Sequence, residues 1–115
     1  MTFPSTTLYL LNSPVLTAYG EYRFEHSNPV HAGAIFREAS ARNAVVSAIG
    51  HDGAAAVLSE LLGAPVETRR QAITMKAGDW AIVLRLLERP PEGAVLSAEQ
   101  LRAVPHEIGI LRRMR

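Results

Sequence analysis

Hydrophobic and polar positions follow two alternating periods along this chain. Thr6-Thr7-Leu8-Tyr9-Leu10-Leu11 is β-branched, aromatic and apolar, which predicts a first strand, and Asn12-Ser13-Pro14 ends it in a loop. After Gly20, Tyr22 and Phe24 alternate with Glu21, Arg23 and Glu25, the pattern of a half-buried second strand. Ser27-Asn28-Pro29 then has the form of a helix start, and the helix is expected to run to about Ala41. Ala44-Val45-Val46-Ser47-Ala48-Ile49 reads as a buried strand, and the Ala/Leu-rich run from Ala54 to Leu62 reads as a helix closed by Gly63.

Further on, Gln71-Ala72-Ile73-Thr74-Met75 and Trp80-Ala81-Ile82-Val83-Leu84-Arg85-Leu86-Leu87 flank Ala77-Gly78-Asp79, so the pair is expected to form a hairpin with Asp79 capping its turn. Pro90 and Pro91 break the strand that follows, leaving Arg89 and Glu92 on a rigid loop. Ser97-Ala98-Glu99-Gln100 is a capping box for a short helix to about Val104, and Glu107 to Met114 is expected to be a last edge strand or a subunit contact. Strands interleaved with helices point to an α/β fold: a mixed β-sheet flanked by helices, in a single small domain over residues 1–115.

Composition narrows the function classes. Twelve Lys and Arg against eleven Asp and Glu leave a net charge of +1, which argues against DNA coating and favours a compact anionic ligand. Local positive charge gathers at Arg69, Arg70, Arg112, Arg113 and Arg115. With no cysteine there is no disulfide, thiol nucleophile or thiolate metal site. The N-terminus lacks a signal-peptide pattern and no apolar run is long enough to span a bilayer, so a cytoplasmic protein without membrane attachment is expected.

The chemistry concentrates at Gly50-His51-Asp52-Gly53, between the buried strand and the Ala-rich helix. Such a turn presents unpaired backbone N–H groups and the positive end of a helix dipole, with the His51 imidazole beside them. No P-loop, dinucleotide fingerprint, nucleophile elbow or zinc motif is present, and His26 and His31 lack a partner ligand at helical spacing. What remains is His51, a few arginines, Asn12 and Glu92: a proton carrier, bidentate phosphate donors and an orienting carboxylate. That set suits metal-free RNA cleavage in which the substrate's 2′-hydroxyl is the nucleophile. On these residues alone the ordinary readings come first, a helix cap for His51 and a turn former for Asn12.

Ser47-Ala48-Ile49-Gly50-His51, Leu58-Ser59-Glu60-Leu61-Leu62-Gly63, Arg70 before a strand, Gly78-Asp79 with Ala81-Ile82-Val83, and Arg89-Pro90-Pro91-Glu92-Gly93-Ala94-Val95-Leu96 occur in that order. Together with Leu11-Asn12-Ser13-Pro14, they resemble the small viral and bacterial ring nucleases, the type III anti-CRISPR family that degrades cyclic tetra-adenylate. The resemblance covers almost the whole chain. It implies a homodimer with the cyclic RNA in a pocket across the two-fold interface. His51 would be the catalytic general acid, Glu92 its supporting acidic residue, and Asn12, Ser13, Gly50, Arg70 and Arg89 the ligand contacts. No metal or other cofactor is implied. Ala54 stands where relatives often carry a hydroxyl, Arg69 where Asn often precedes the arginine, and Pro90 where leucine is usual. The competing expectation from another class is a non-catalytic dimer that sequesters a cyclic nucleotide or regulates a partner.

Overall fold

The computed structural model describes residues 6–14, 18–88 and 95–115. Five strands and three helices follow one another as β1 (Leu8–Leu11), β2 (Tyr22–His26), α1 (Pro29–Ala41), β3 (Val45–Ser47), α2 (Asp52–Leu62), β4 (Trp80–Leu86), α3 (Ala98–Ala103) and β5 (His106–Arg113). The strands form one sheet in the order β2-β5-β4-β1-β3. β1 pairs in parallel with both β3 and β4, whereas β5 is antiparallel to β4 and to β2, so the sheet is mixed.

Local chemistry accounts for the element ends. Asn28 caps α1 by accepting from the His31 amide at 2.9 Å, and Pro29 supplies the first turn without needing an N–H partner. Gly63 ends α2 in the left-handed region at φ 70°, where a Cβ would be strained, and its N–H bonds to the Ser59 carbonyl. The Ser97–Gln100 capping box opens α3 as expected.

Alternation then sorts side chains between the two sheet faces. Leu8, Leu10, Ile82, Leu84, Ile108 and Ile110 face the helices and pack with Ala32, Phe36 and Ala39 of α1 and Val57, Leu58 and Leu62 of α2. Small residues on the inner stripe of α1 let that helix lie close to the sheet. The opposite face carries Leu11, Ala81, Val83 and Leu111, joined by Met75, Ile73, Tyr9 and Tyr22.

Three expectations differ from the structure, the first being the buried strand over 44–49, which is the half-buried three-residue edge strand β3. Residues 71–75 form no strand and therefore no hairpin with β4, because both edges of β4 are already taken by β1 and β5. The apolar side chains of that segment instead cover the second face of the sheet, where Met75 is 3% exposed. The C-terminal strand is also not at an edge: β5 lies between β4 and β2, and its Ile108-Gly109-Ile110-Leu111 centre is buried. The turn before β4 is built as expected. Buried Asp79 accepts from the Thr7 amide (2.9 Å) through one carboxylate oxygen and from the Lys76 amide (2.8 Å) through the other.

Candidate functional site

The parallel strands β1 and β3 end side by side, and the turn from β3 into α2 opens at that end of the sheet. In open α/β sheets the carboxyl ends of parallel strands are where ligands are held. The β1 exit contributes Asn12, whose Oδ1 accepts from the Gly50 amide at 3.5 Å, a long contact. Ser13 follows on the surface.

His51 is the N-cap of α2, with extended backbone at φ −139° and ψ 124°. Its Nδ1 accepts from the Ala54 amide at 3.3 Å. A nitrogen that accepts carries no hydrogen, so the neutral ring bears its proton on Nε2, the nitrogen not used by the cap. Asp52 stands in the first turn of α2 and complements the helix dipole.

Arg70 reaches the same turn from an irregular segment. A Cβ placed on Gly50 would lie 3.1 Å from Arg70 Cγ and 3.6 Å from its Cβ and Cδ, so the arginine stem lies directly on the glycine backbone. Among the described residues no carboxylate pairs with its exposed guanidinium, whereas neighbouring Arg69 pairs with Glu67 at 3.4 Å. Asn12, the adjacent pair Gly50 and His51, and Arg70 thus come together from three separate places in the chain. Arg89 and Glu92, with Pro90 between them, lie outside the described residues.

The C-terminal arginines do not join this site. Arg112 sits over the Trp80 ring at 4.4 Å, Arg113 bonds the Met75 and Tyr19 carbonyls, and Arg115 pairs with Glu21. A cavity of about 210 Å³ lies at the opposite end of β1, between Thr6–Leu8, Trp80 and the α1 residues His31, Ile35, Glu38 and Arg42. Its walls are mostly apolar and it holds none of the expected site residues. Among the described residues no cluster of three or more His, Asp or Glu side chains could hold a metal ion. No helix there is long and apolar enough to cross a membrane.

Residues 8–108 match the family model described as STIV B116-like. The chain belongs to this family. It is 33% identical over 114 residues to the uncharacterised protein ORF117 of Acidianus two-tailed virus, a match that spans 96% of each chain. Its fold is that of B116 of Sulfolobus turreted icosahedral virus, with a TM-score of 0.80 at 17% identity over 93% of this chain and 99% of that one. Both relatives are viral proteins. The B116-like region runs from β1 into β5 and so takes in Asn12, Gly50, His51 and Arg70.

Two supports of the site escaped the sequence reading. Ser47 Oγ donates to the Glu67 carbonyl and Gln71 Nε2 donates to the Ser47 carbonyl, both at 2.6 Å, fastening the segment that carries Arg70. The available signal was the polar Ser47 in an otherwise apolar strand.

Proposed function

We propose that this B116-like protein is a metal-independent ring nuclease, a homodimer that binds cyclic tetra-adenylate and cuts it in two. The observation that carries the reading is the Gly50–His51 turn, where an imidazole at a helix N-terminus stands beside an arginine with no carboxylate partner among the described residues. A phosphodiester at that turn would meet backbone N–H groups, the helix dipole and a bidentate cation together.

In the proposed reaction the ribose 2′-hydroxyl gives up its proton to water as its oxygen attacks the adjoining phosphorus, and the bond to the 5′-oxygen breaks. His51 donates its proton to that oxygen, leaving a 2′,3′-cyclic phosphate and a 5′-hydroxyl. Arg70 and the α2 N-terminus stabilise the charge on the phosphoryl oxygens. The acid form of His51 is the imidazolium, whose Nδ1 bears a hydrogen and releases the Ala54 amide. Arg89 would be a further ligand contact, and Glu92 would support the histidine. Two cuts on opposite sides yield linear di-adenylates, and the biological effect would be to switch off or evade type III CRISPR signalling in the cytoplasm.

The bond from the Ala54 amide favours the rival reading, in which His51 only caps α2 and the protein sequesters its ligand. Purified protein mixed with cyclic tetra-adenylate in chelator separates the two. The expected result is di-adenylates ending in 2′,3′-cyclic phosphate, produced by a species that light scattering sizes as a dimer. A ring lacking the 2′-hydroxyl should bind and resist cleavage. Tight binding without products would leave the sequestering role standing, and activity restored only by a divalent ion would refute the mechanism.

A further inference from the structure

β3 is a three-residue strand at the edge of the sheet, paired on one side only, with β1. Its free side is occupied by the irregular segment that carries Arg70, held by three hydrogen bonds. Ser47 Oγ donates to the Glu67 carbonyl (2.6 Å), the Arg69 amide donates to the Ile49 carbonyl (2.8 Å), and Gln71 Nε2 donates to the Ser47 carbonyl (2.6 Å). These attachments bracket Arg70 on both sides. Among the described residues no carboxylate anchors its guanidinium, and what holds its place there is the fastening of the flanking chain and the bare backbone of Gly50 beneath its stem.

We infer that Ser47 and Gln71 are positioning residues that hold Arg70 over the Gly50–His51 turn, an inference that takes its substrate from the ring-nuclease reading. Arg70 is a long side chain with many rotamers, and ordering its backbone before the ligand arrives removes part of the cost of binding. The two side chains act on the same strand residue from opposite directions: the Ser47 hydroxyl holds the segment before Arg70, and the Ser47 carbonyl holds the segment after it. Neither needs to touch the phosphates. Their loss should therefore change affinity while leaving proton transfer by His51 intact.

The test uses Ser47→Ala and Gln71→Met, which remove the donors at similar bulk, and Ser47→Thr, which keeps the hydroxyl. Hydrogen exchange at the Arg69 amide should accelerate about tenfold or more in the first two variants and stay near wild type in Ser47→Thr, with Ile82 and Leu84 unchanged in all three. Affinity for cyclic tetra-adenylate should fall about 3- to 10-fold, the net effect of one hydrogen bond. The single-turnover rate at saturating ring should fall no further than it does in Arg70→Ala, because the two side chains act only through Arg70. In an Arg70→Ala background the same substitutions should cost no further affinity. Unchanged exchange at Arg69, or an affinity loss of equal size without Arg70, would overturn the inference. Failure of the ring-nuclease reading looks different: wild-type protein itself would not bind the ring, and the exchange measurements alone would then decide whether the two side chains hold the segment.

Discussion

Replacing His51 by asparagine, next to alanine, separates the two roles that one imidazole combines. Asparagine is among the best N-cap residues and restores an acceptor for the first turn of α2, but it carries no proton to transfer. Alanine removes both functions. Loss of an N-cap costs about 0.5–2 kcal/mol. The Ala54 bond, at 3.3 Å, is long and belongs in the lower half of that range, while the 2% exposure of Ala54 limits rehydration of the freed amide and moves the cost back up. The expectation is therefore about 1 kcal/mol for His51→Ala, a drop in Tm of about 4 °C, and almost none for His51→Asn. Urea unfolding followed by circular dichroism measures this directly. Cleavage should behave otherwise: both variants should bind the ring nearly as well as wild type and cut it about two to four orders of magnitude more slowly in single turnover. A His51→Asn protein that cleaves within a few-fold of the wild-type rate would reduce His51 to a cap and end its assignment as the acid.

Asp79→Ala strands the Thr7 and Lys76 amides and should cost roughly 2–6 kcal/mol at 1–3 kcal/mol for each, with Asp79→Asn between it and wild type; a midpoint shift in urea equivalent to less than 1 kcal/mol for the alanine variant contradicts the buried-cap account. Arg70→Ala and Arg89→Ala should each weaken binding of cyclic tetra-adenylate, lysine should rescue poorly, and added salt should weaken binding of the wild type; unchanged affinity in both variants places the pocket elsewhere. Tyr9 ionises above the ordinary tyrosine range because burial disfavours its phenolate and the Asp79 charge opposes it further. Its contribution to stability is thus complete below about pH 10 and lost as pH rises through the elevated value, so Tyr9→Phe should flatten the alkaline limb of a stability–pH curve.

The elements carried by one clear local signal were legible in the sequence. Asn28-Pro29, Gly63 and Ser97–Gln100 mark helix ends through side-chain and backbone chemistry that acts within a turn, and α1, α2 and α3 fall where those signals put them. The misplaced segments are those whose fate depends on competition for partners. Residues 71–75 alternate like a strand, but pairing with β4 requires an edge that β1 and β5 occupy, so Ile73 and Met75 bury their side chains on the sheet face without joining its ladder. β5 has the reverse history. Its charged ends, His106-Glu107 and Arg112-Arg113, give it the look of an edge strand, yet Ile108 to Leu111 are buried and β2 closes over its outer side. Gly109 is central to that closure: a Cβ there would lie 2.4 Å from the Phe24 ring, so the glycine admits the aromatic side chain of β2 onto the sheet.

The same distinction applies to the site. The Gly50–His51 turn is local and was visible, whereas Arg70's position over it depends on the attachment of a chain segment twenty residues away, which no pattern around Arg70 encodes. On the proposed ring-nuclease reading, His51 would serve as both cap and acid. In the free protein the Nδ1 lone pair is committed to the Ala54 amide, which holds the neutral ring in place and stabilises the helix start. The imidazolium has no such lone pair, so the capping and proton-donating forms of His51 are alternatives. On the proposed reading a stronger cap would compete with proton donation by His51, and a weaker one would let α2 fray.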